Sequence, residues 1–427
     1  MTQPHEIELS SPAAPAKGQD PRWLVMVFMG ADGLEGDADL SGEADDDIAE
    51  MEEVAKKEAK RAKEAKERER LNIFVQLHRR GGVKRLHIGH GKRHVDDAVD
   101  DATNGKALTS FIADSIEASK HHPSEHSMLV LWGHAYKFGI GPQTTRHGVD
   151  ALDFAELATV LRNFQEEHKN KYPQYYADED RPRLDIVAFD ACDLASVEMA
   201  YQLYPFARYL LASQIGIPLP GWPYDQVLDR LADPKGRVMG PAELGSYIAR
   251  RFCAKYAADD RMVSLSMLDL RKAKQLFELT ETLARRLAIS AAQNPDELRV
   301  VYDLFLRART PDKRPFVDVA ALCLDLMRHC RDDDVVRAAM ALGDVLISPN
   351  PEQADSGGGS ATGAGRPFVV ENCRNSAETA GLHGVSLYAP HVSDNHDWEG
   401  ASHFYEKFVF ARETLWSAFV HALALPD

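Results

Sequence analysis

The chain has 427 residues, 44% of them apolar, so it can bury a large core and is long enough for two or three domains. Its formal net charge of −16 argues against nucleic acid as a partner, because non-specific binding to phosphates requires a basic surface. No apolar run reaches the roughly 18 residues that span a bilayer, so we expect no membrane partner either.

The first residues are polar and lack the order typical of a secretory signal, in which a basic segment precedes an apolar one. We predict that residues 1–20 form a disordered tail. The 5 cysteines are odd in number and widely spaced, which does not indicate a disulfide framework. From these observations we expect a cytoplasmic protein with reduced thiols.

Short apolar runs alternate with helix-like stretches through the first 270 residues. The runs predict buried strands at Trp23–Met29, Leu71–Leu77, Met128–Trp132, Leu184–Phe189 and, less clearly, Ala207–Ala212. Apolar residues at three- and four-residue spacing predict helices at Ala107–Ser119, Phe154–Glu166 and Leu194–Leu203. Strands that alternate with helices predict a mainly parallel sheet with helices on both faces.

The pattern becomes largely helical beyond about residue 270. We therefore divide the chain into an α/β domain, residues 21–270, and a mostly helical C-terminal region, residues 271–427. Within that region, the Gly- and Ser-rich residues 349–366 predict a flexible loop. Residues 384–390 predict one more strand, which we expect to return to the sheet.

Two of the predicted strands end in residues that can act together in nucleophilic catalysis. His134 follows the run Met128–Trp132, and Cys192 follows the run Leu184–Phe189. Reactive groups collect at the carboxyl ends of parallel strands, and neighbouring strands are only about 4.8 Å apart. An imidazole beside a thiol raises the fraction of thiolate, the nucleophilic form. The sequence thus indicates a Cys192–His134 pair, although a single cysteine or histidine is more often structural.

This pair belongs to a wider pattern that resembles the clostripain-like cysteine peptidases, relatives of caspases, legumain, gingipain and separase. The matching segments, in chain order, are Trp23–Gly33 with the acidic residues after it, Leu129–His134, Phe189–Glu198, Ala212–Gln214 with Gly221–Tyr224, His383–Pro390, and Tyr405–Phe419. The resemblance implies a three-layer α/β/α caspase-like sandwich with a mainly parallel central sheet. It also implies hydrolysis of peptide bonds through a thioester acyl-enzyme.

The resemblance assigns chemical roles to the two strand ends. Cys192 would attack the substrate carbonyl, while His134 would accept the thiol proton and later protonate the leaving amine. The backbone N–H groups of Cys192 and Ala135 would bind the oxyanion. Members of the family usually have glycine immediately after the histidine, and Ala135 departs from this pattern. Alanine retains the N–H but adopts fewer backbone conformations.

Relatives of this type mostly cleave after arginine or lysine, and the nearest ones have an acidic S1 residue two positions before the nucleophile. Asp190 holds that position here, and a carboxylate can bind a guanidinium through two hydrogen bonds. The alternative is that Asp190 accepts backbone N–H groups at the strand end. Ser213 and Trp222 are further S1 candidates, and Trp222 is alternatively a core aromatic residue. We expect protein or peptide substrates with exposed Arg or Lys.

Many relatives are made as inactive precursors that are cut between the histidine and cysteine strands. The polar insertion Asn163–Arg183 lies between these strands, and a loop there can be cut without disturbing the sheet. Its candidate sites for self-cleavage, or for an activating protease, are Lys169, Lys171, Arg181 and Arg183.

A Cys–His pair requires no cofactor, but some relatives need calcium. The acidic stretch near the start of the chain offers Asp37, Asp39 and Asp45 as candidate calcium ligands. Together these features predict a cytoplasmic, bacterial cysteine endopeptidase. The alternative is a catalytically inactive protein of the same fold that binds or regulates partners.

Overall fold

The structure, a computed structural model, describes most of the chain. The described residues are 23–32, 38–67, 69–79, 82–89, 92–96, 105–119, 124–136, 139–145, 148–171, 184–233, 239–312, 314–346, 367–390 and 405–424. The predicted tail, residues 1–20, and the predicted flexible loop, residues 349–366, lie outside these ranges.

Most of the strands lie in the first two thirds of the chain. The strands are β1 (Trp23–Gly30), β2 (Leu71–Arg79), β3 (Gly82–Gly89), β4 (Lys92–Asp96), β5 (His126–Gly133), β6 (Ala135–Tyr136), β7 (Gly139–Thr145), β8 (Gly148–Asp153), β9 (Leu184–Asp190), β10 (Ala207–Ala212), β11 (Ser264–Asp269), β12 (Phe316–Asp318), β13 (Val369–Arg374) and β14 (Ser386–Tyr388).

Helices lie between many of the strands and make up most of the last third of the chain. The helices are α1 (Ser41–Ala65), α2 (Gly105–Ala118), α3 (Phe154–Lys171), α4 (Val197–Leu203), α5 (Tyr224–Ala232), α6 (Pro241–Lys255), α7 (Ala273–Gln293), α8 (Pro295–Arg307), α9 (Val319–His329), α10 (Asp333–Leu346), α11 (Val409–Glu413) and α12 (Trp416–Ala424). Within the described ranges, none of these helices combines the length and the apolar composition needed to cross a bilayer.

A nine-stranded sheet forms the centre of the molecule, in the order β13-β11-β10-β9-β5-β1-β2-β3-β4. Its central strands, from β10 through β9, β5 and β1 to β2, pair in parallel. The outer strands on both sides pair antiparallel. The predicted α/β/α sandwich with a mainly parallel central sheet and a mostly helical C-terminal region is confirmed.

Helices cover both faces of the sheet, as the alternation of buried residues along β1 shows. Trp23, Val25 and Val27 pack against α1, α5 and α6 on one face, which we call the α1 face. Leu24 and Met26 pack on the opposite face against α2, α3 and α4 and against the C-terminal helices. The C-terminal helices therefore share a core with the sheet, and the division near residue 270 stays a prediction.

The strand predicted within residues 384–390 forms as β14, but it does not join the large sheet. Instead β14 pairs with β12 in a separate two-stranded sheet, with Phe316 opposite Tyr388. The strand that returns is β13, which joins β11 at the edge. The prediction of the partner was wrong because a fully buried run indicates a strand without indicating its neighbour. The half-buried β13 has no such run.

The predicted processing loop, Asn163–Arg183, also needs correction. Helix α3 continues to Lys171, because Leu161, Phe164 and His168 extend its buried stripe at three- and four-residue spacing. The first nine residues of the predicted loop are therefore helical. Residues 172–183 lie outside the described ranges.

Candidate active site

The ends of β5 and β9 bring the predicted catalytic residues to one edge of the sheet. The two strands pair in parallel, with Trp132 opposite Asp190. His134 and Cys192 each lie two positions beyond that pair, and both are partly exposed. Because the two strands end side by side, the imidazole and the thiol belong to the same rim at the carboxyl ends of the parallel strands.

A glycine allows the chain to leave the sheet immediately before His134. Gly133 has a φ of 135°, and a Cβ atom there would lie 2.5 Å from the backbone oxygen of Gly30 on β1. No side chain fits in that space. The tight contact between β1 and β5 therefore requires glycine before the histidine.

A backbone carbonyl in the segment before α1 orients the His134 ring. Nε2 of His134 lies 2.9 Å from the carbonyl oxygen of Ala38. A carbonyl oxygen only accepts hydrogen bonds, so Nε2 must carry the proton and donate it. In the neutral ring, Nδ1 is then the nitrogen that can accept a proton from a thiol.

The Cys192 thiol is surrounded by groups with opposing effects. Burial raises the pKa of this thiol, and the carboxyl groups of Asp193 and Asp190 raise it further. The Ile217 N–H, which donates to Sγ at 3.3 Å, and the Arg314 guanidinium lower the pKa. Because the net shift is upward, the thiol requires a base to become a nucleophile.

Asp190 lies on the α1 face beneath the segment Gly221–Tyr224. Its Oδ2 accepts hydrogen bonds from the Trp222 N–H and the Tyr224 hydroxyl, both at 3.2 Å. Gly221 has a φ of 61°, and a Cβ there would lie 3.0 Å from Oδ2, so glycine allows the segment to lie close to the carboxyl group. The alternative role, acceptance of a backbone N–H, thus applies to Oδ2. Oδ1 is buried and has no hydrogen-bond partner among the described residues.

Asp190 belongs to an acidic cluster, which we define as Asp47, Glu50 and Asp190. Burial raises the pKa of Asp190 to about 7. Burial, together with Asp190 and Glu50, raises the pKa of Asp47 to about 9. Lys255 lowers the pKa of both aspartates, while its Nζ donates to the Gly221 carbonyl at 3.1 Å. A cation that reached this cluster would be favoured, because it would allow the buried carboxyl groups to ionise.

Asp47 and Glu50 were not predicted as site residues, although the sequence contains a signal for Asp47. Asp47 lies on the apolar stripe of α1, between Ala44 and Met51, and accepts a hydrogen bond from Trp132 Nε1 at 2.9 Å. A charged residue on an otherwise apolar helix face must have a buried partner or a function.

The two lesser S1 candidates, Ser213 and Trp222, are both buried. Ser213 is fully buried; its hydroxyl donates to the Ile215 carbonyl at 2.8 Å and lies 3.1 Å from Ser264 Oγ. The Ser213 hydroxyl thus lies within the segment that brings the Ile217 N–H to Cys192, and its contact with substrate stays a prediction. Trp222 is 1% exposed and belongs to the core on the α1 face, in agreement with the alternative interpretation.

The remaining candidates are the oxyanion residue Ala135 and the possible calcium ligands. Ala135, the oxyanion candidate, pairs with Ile140 in the three-stranded sheet β6-β7-β8. Asp39 accepts the Ser41 N–H at 2.9 Å, and the Asp45 carboxylate binds Arg79 at 3.0 Å. Each of these two aspartates has a partner within the protein, and calcium binding stays a prediction. The described part of the chain contains no group of three or more His, Cys, Asp or Glu suited to a metal ion, and Asp37 lies outside it.

Two of the four predicted processing residues lie in α3, and the other two come after it in the sequence. Lys169 is exposed within the helix, and Lys171 is its last residue. Arg181 and Arg183 lie outside the described residues.

Comparison with known proteins agrees with the fold and with the residue pattern. The sequence profile of the clostripain family matches residues 27–325. No curated protein matches the chain significantly. The predicted family resemblance is therefore confirmed by a match that includes both strand ends.

Solved structures share the fold at low sequence identity. A secreted C11 cysteine protease from Bacteroides thetaiotaomicron, iotapain, has a TM-score of 0.58 and 14% identity over 94% of this chain and 100% of that chain. A structure of a secreted C11 cysteine protease from Bacteroides thetaiotaomicron with an irreversible peptide inhibitor has a TM-score of 0.56 and 17% identity over 94% and 99%. An inactive zymogen C11 protease from Parabacteroides distasonis has a TM-score of 0.51 and 13% identity over 93% and 99%.

These likenesses correct one prediction. Two of the similar proteins are described as secreted, which contradicts the expectation of a cytoplasmic location. That expectation rested on the polar first residues and the odd number of cysteines, and neither feature reports on a compartment directly.

Proposed function

Because the chain belongs to the clostripain family of cysteine peptidases, we propose that it is an endopeptidase that cleaves after Arg or Lys through a Cys192–His134 dyad. The observation that carries this proposal is the register of β5 and β9. Trp132 and Asp190 lie opposite each other, and the histidine and the cysteine each follow two residues later. Protein or peptide chains with exposed basic residues are the substrates.

The reaction follows from the groups at the rim. His134 accepts the Cys192 proton on Nδ1, and the thiolate attacks the carbonyl carbon of the scissile bond. The backbone N–H groups of Cys192 and Ala135 stabilise the oxyanion. The C–N bond then breaks as the imidazolium protonates the amine, and a water molecule activated by His134 hydrolyses the thioester. No cofactor takes part in these steps.

The acidic cluster would explain a preference for a basic side chain at P1. Asp190 Oδ1 is a buried acceptor with unused hydrogen-bonding capacity. Glu50 lies near it on the same face of the sheet, and Asp47 would add negative charge once a bound cation allowed it to ionise. A guanidinium or ammonium group would pair with Oδ1, whereas an apolar P1 side chain would leave it unpaired.

A panel of fluorogenic peptides that differ only at P1 tests this function. We expect kcat/KM for Arg and Lys peptides to exceed that for a Gln peptide on the order of 10²-fold, the usual value of a buried charge pair. Equal rates, or a preference for Asn or Asp, would contradict basic specificity. Absence of any cleavage would favour the inactive binding protein. We expect EGTA to leave the rates unchanged, since the described residues include no group of three or more His, Cys, Asp or Glu suited to a metal ion.

We also propose that activation involves cleavage after Arg181 or Arg183. Lys169 lies within α3, and a helical backbone cannot extend into a peptidase cleft unless it unfolds. We expect intact-mass analysis to show two chains for the wild type and one for Cys192→Ala. If Cys192→Ala is cut only after wild-type protein is added, the cleavage is intermolecular. A single, fully active wild-type chain would exclude activation by cleavage.

A further inference from the structure

The residue directly after the nucleophile has an unusual backbone conformation. Asp193 has a φ of 62°, and Lys66 at the end of α1 is the other described non-glycine residue with positive φ. This left-handed region is unfavourable for most L-residues, although aspartate is among those that enter it more readily. The Asp193 N–H donates to the Ile215 carbonyl at 3.3 Å. The chain therefore turns sharply at Asp193, directly after the nucleophile. Other interactions must stabilise this unfavourable backbone conformation.

An arginine from a distant part of the chain binds the side chain of this residue. Asp193 is 9% exposed, and Arg314 Nη1 forms an ion pair with its Oδ2. Arg314 also approaches Asp312 Oδ2 at 3.5 Å. Oδ1 of Asp193 has no partner among the described residues. Burial and Asp312 raise the pKa of Asp193 to about 8, while Arg314 lowers it, so Arg314 favours the ionised form of this buried carboxyl group.

The same arginine also acts on the sulfur. The charged groups that face Cys192 are Asp193 and Asp190, which raise the pKa of the thiol, and Arg314, which lowers it. The Ile217 N–H also lowers it, and His134 is the base of the proposed dyad. Among the charged side chains named here, Arg314 is the one that favours the thiolate.

We propose that Arg314 is a positioning residue for Cys192. By binding Asp193 it holds the left-handed turn after the nucleophile, and its charge favours the thiolate. This inference rests on the proposed role of Cys192, but it concerns how the thiol is prepared and not which substrate it attacks. Arg314 precedes β12, 122 positions after the nucleophile (314 − 192), so the fold must form before the pair can.

The pH dependence of Cys192 alkylation by iodoacetamide tests the proposal, with Cys192→Ala as the background. For Arg314→Met we expect the midpoint to move to higher pH, and alkylation at neutral pH should slow about tenfold for each pH unit by which the midpoint rises. Arg314→Lys, which keeps the charge, should stay close to the wild type. Arg286→Met is the matched control, since Arg286 is an exposed arginine paired with Asp334 on α10.

Peptide hydrolysis provides the second measurement. We expect kcat/KM of Arg314→Met to fall by a similar factor at neutral pH and to recover as the pH rises, because the thiolate then forms without help. Alkylation that is slowed equally at every pH, or is the same as in Arg286→Met, would overturn the proposal. If Cys192→Ala still cleaved peptides, the dyad would fail instead, and the alkylation profiles would still decide the role of Arg314.

Discussion

Replacement of Cys192 by alanine is expected to reduce peptide hydrolysis to background, because the acyl-enzyme of the proposed mechanism forms on its sulfur. His134→Ala should retain a small residual rate, lower than the wild type by about 10² to 10⁴-fold, the usual contribution of a general base. Burial raises the pKa of the thiol, so little thiolate forms without the imidazole. The measurement is kcat/KM with an Arg peptide.

Two matched variants separate catalysis from a general loss of structure. Cys330→Ala removes another partly buried thiol, which donates a hydrogen bond to Glu297 at 2.9 Å. Cys330 is far from both His134 and Cys192 in the sequence. His329→Ala removes an exposed imidazole at the end of α9. Both should keep the wild-type rate. Hydrolysis that persists in Cys192→Ala at the level of Cys330→Ala would end the thiol mechanism.

The second large effect is expected for Asp190→Asn. We expect kcat/KM for Arg and Lys peptides to fall on the order of 10²-fold or more, with little change for a Gln peptide, because only the charged P1 residue loses its partner. Asparagine is nearly isosteric and still accepts the hydrogen bonds that Trp222 and Tyr224 donate to Oδ2. Asp185→Asn is the matched control, a buried aspartate at the opposite end of β9 that accepts the Ser127 N–H.

The pH dependence of specificity provides a further measure of the same group. The pKa of Asp190 is raised to about 7, so its carboxylate becomes protonated as the pH falls below 7. The ratio of kcat/KM for Arg over Gln peptides should then decrease, and Asp190→Asn should lose this dependence. The ratio cancels the titration of the Cys192 thiol, which affects both peptides equally. Asp47, with a pKa of about 9, stays protonated across this range.

Loss of stability would not explain such a result. A carboxyl group whose pKa is raised in the folded state stabilises it most at low pH, below the unfolded pKa of about 3.9, and loses this contribution as the pH rises to about 7. Near pH 7 the neutral asparagine should therefore be at least as stable as the aspartate. A Tm for Asp190→Asn well below that of the wild type would contradict this account.

The sequence by itself determined the central strands and the residues at their ends. Each of these strands is buried on both faces, so its sequence is a nearly continuous apolar run that can be recognised without knowledge of the fold. The positions of His134 and Cys192 followed, because a strand end is also a local feature. The family pattern then supplied Asp190, whose burial on the α1 face the structure describes.

Only the tertiary structure decided which distant groups surround these residues. The edge strand β13 was missed because it is half exposed, and β14 was assigned to the wrong sheet because an apolar run does not identify its neighbour. Asp47 interacts electrostatically with Asp190, and Arg314 forms an ion pair with Asp193, although the residues of each pair are more than 100 positions apart. Such interactions depend on how helices and loops pack against the sheet, so they cannot be predicted from the local spacing of residue types.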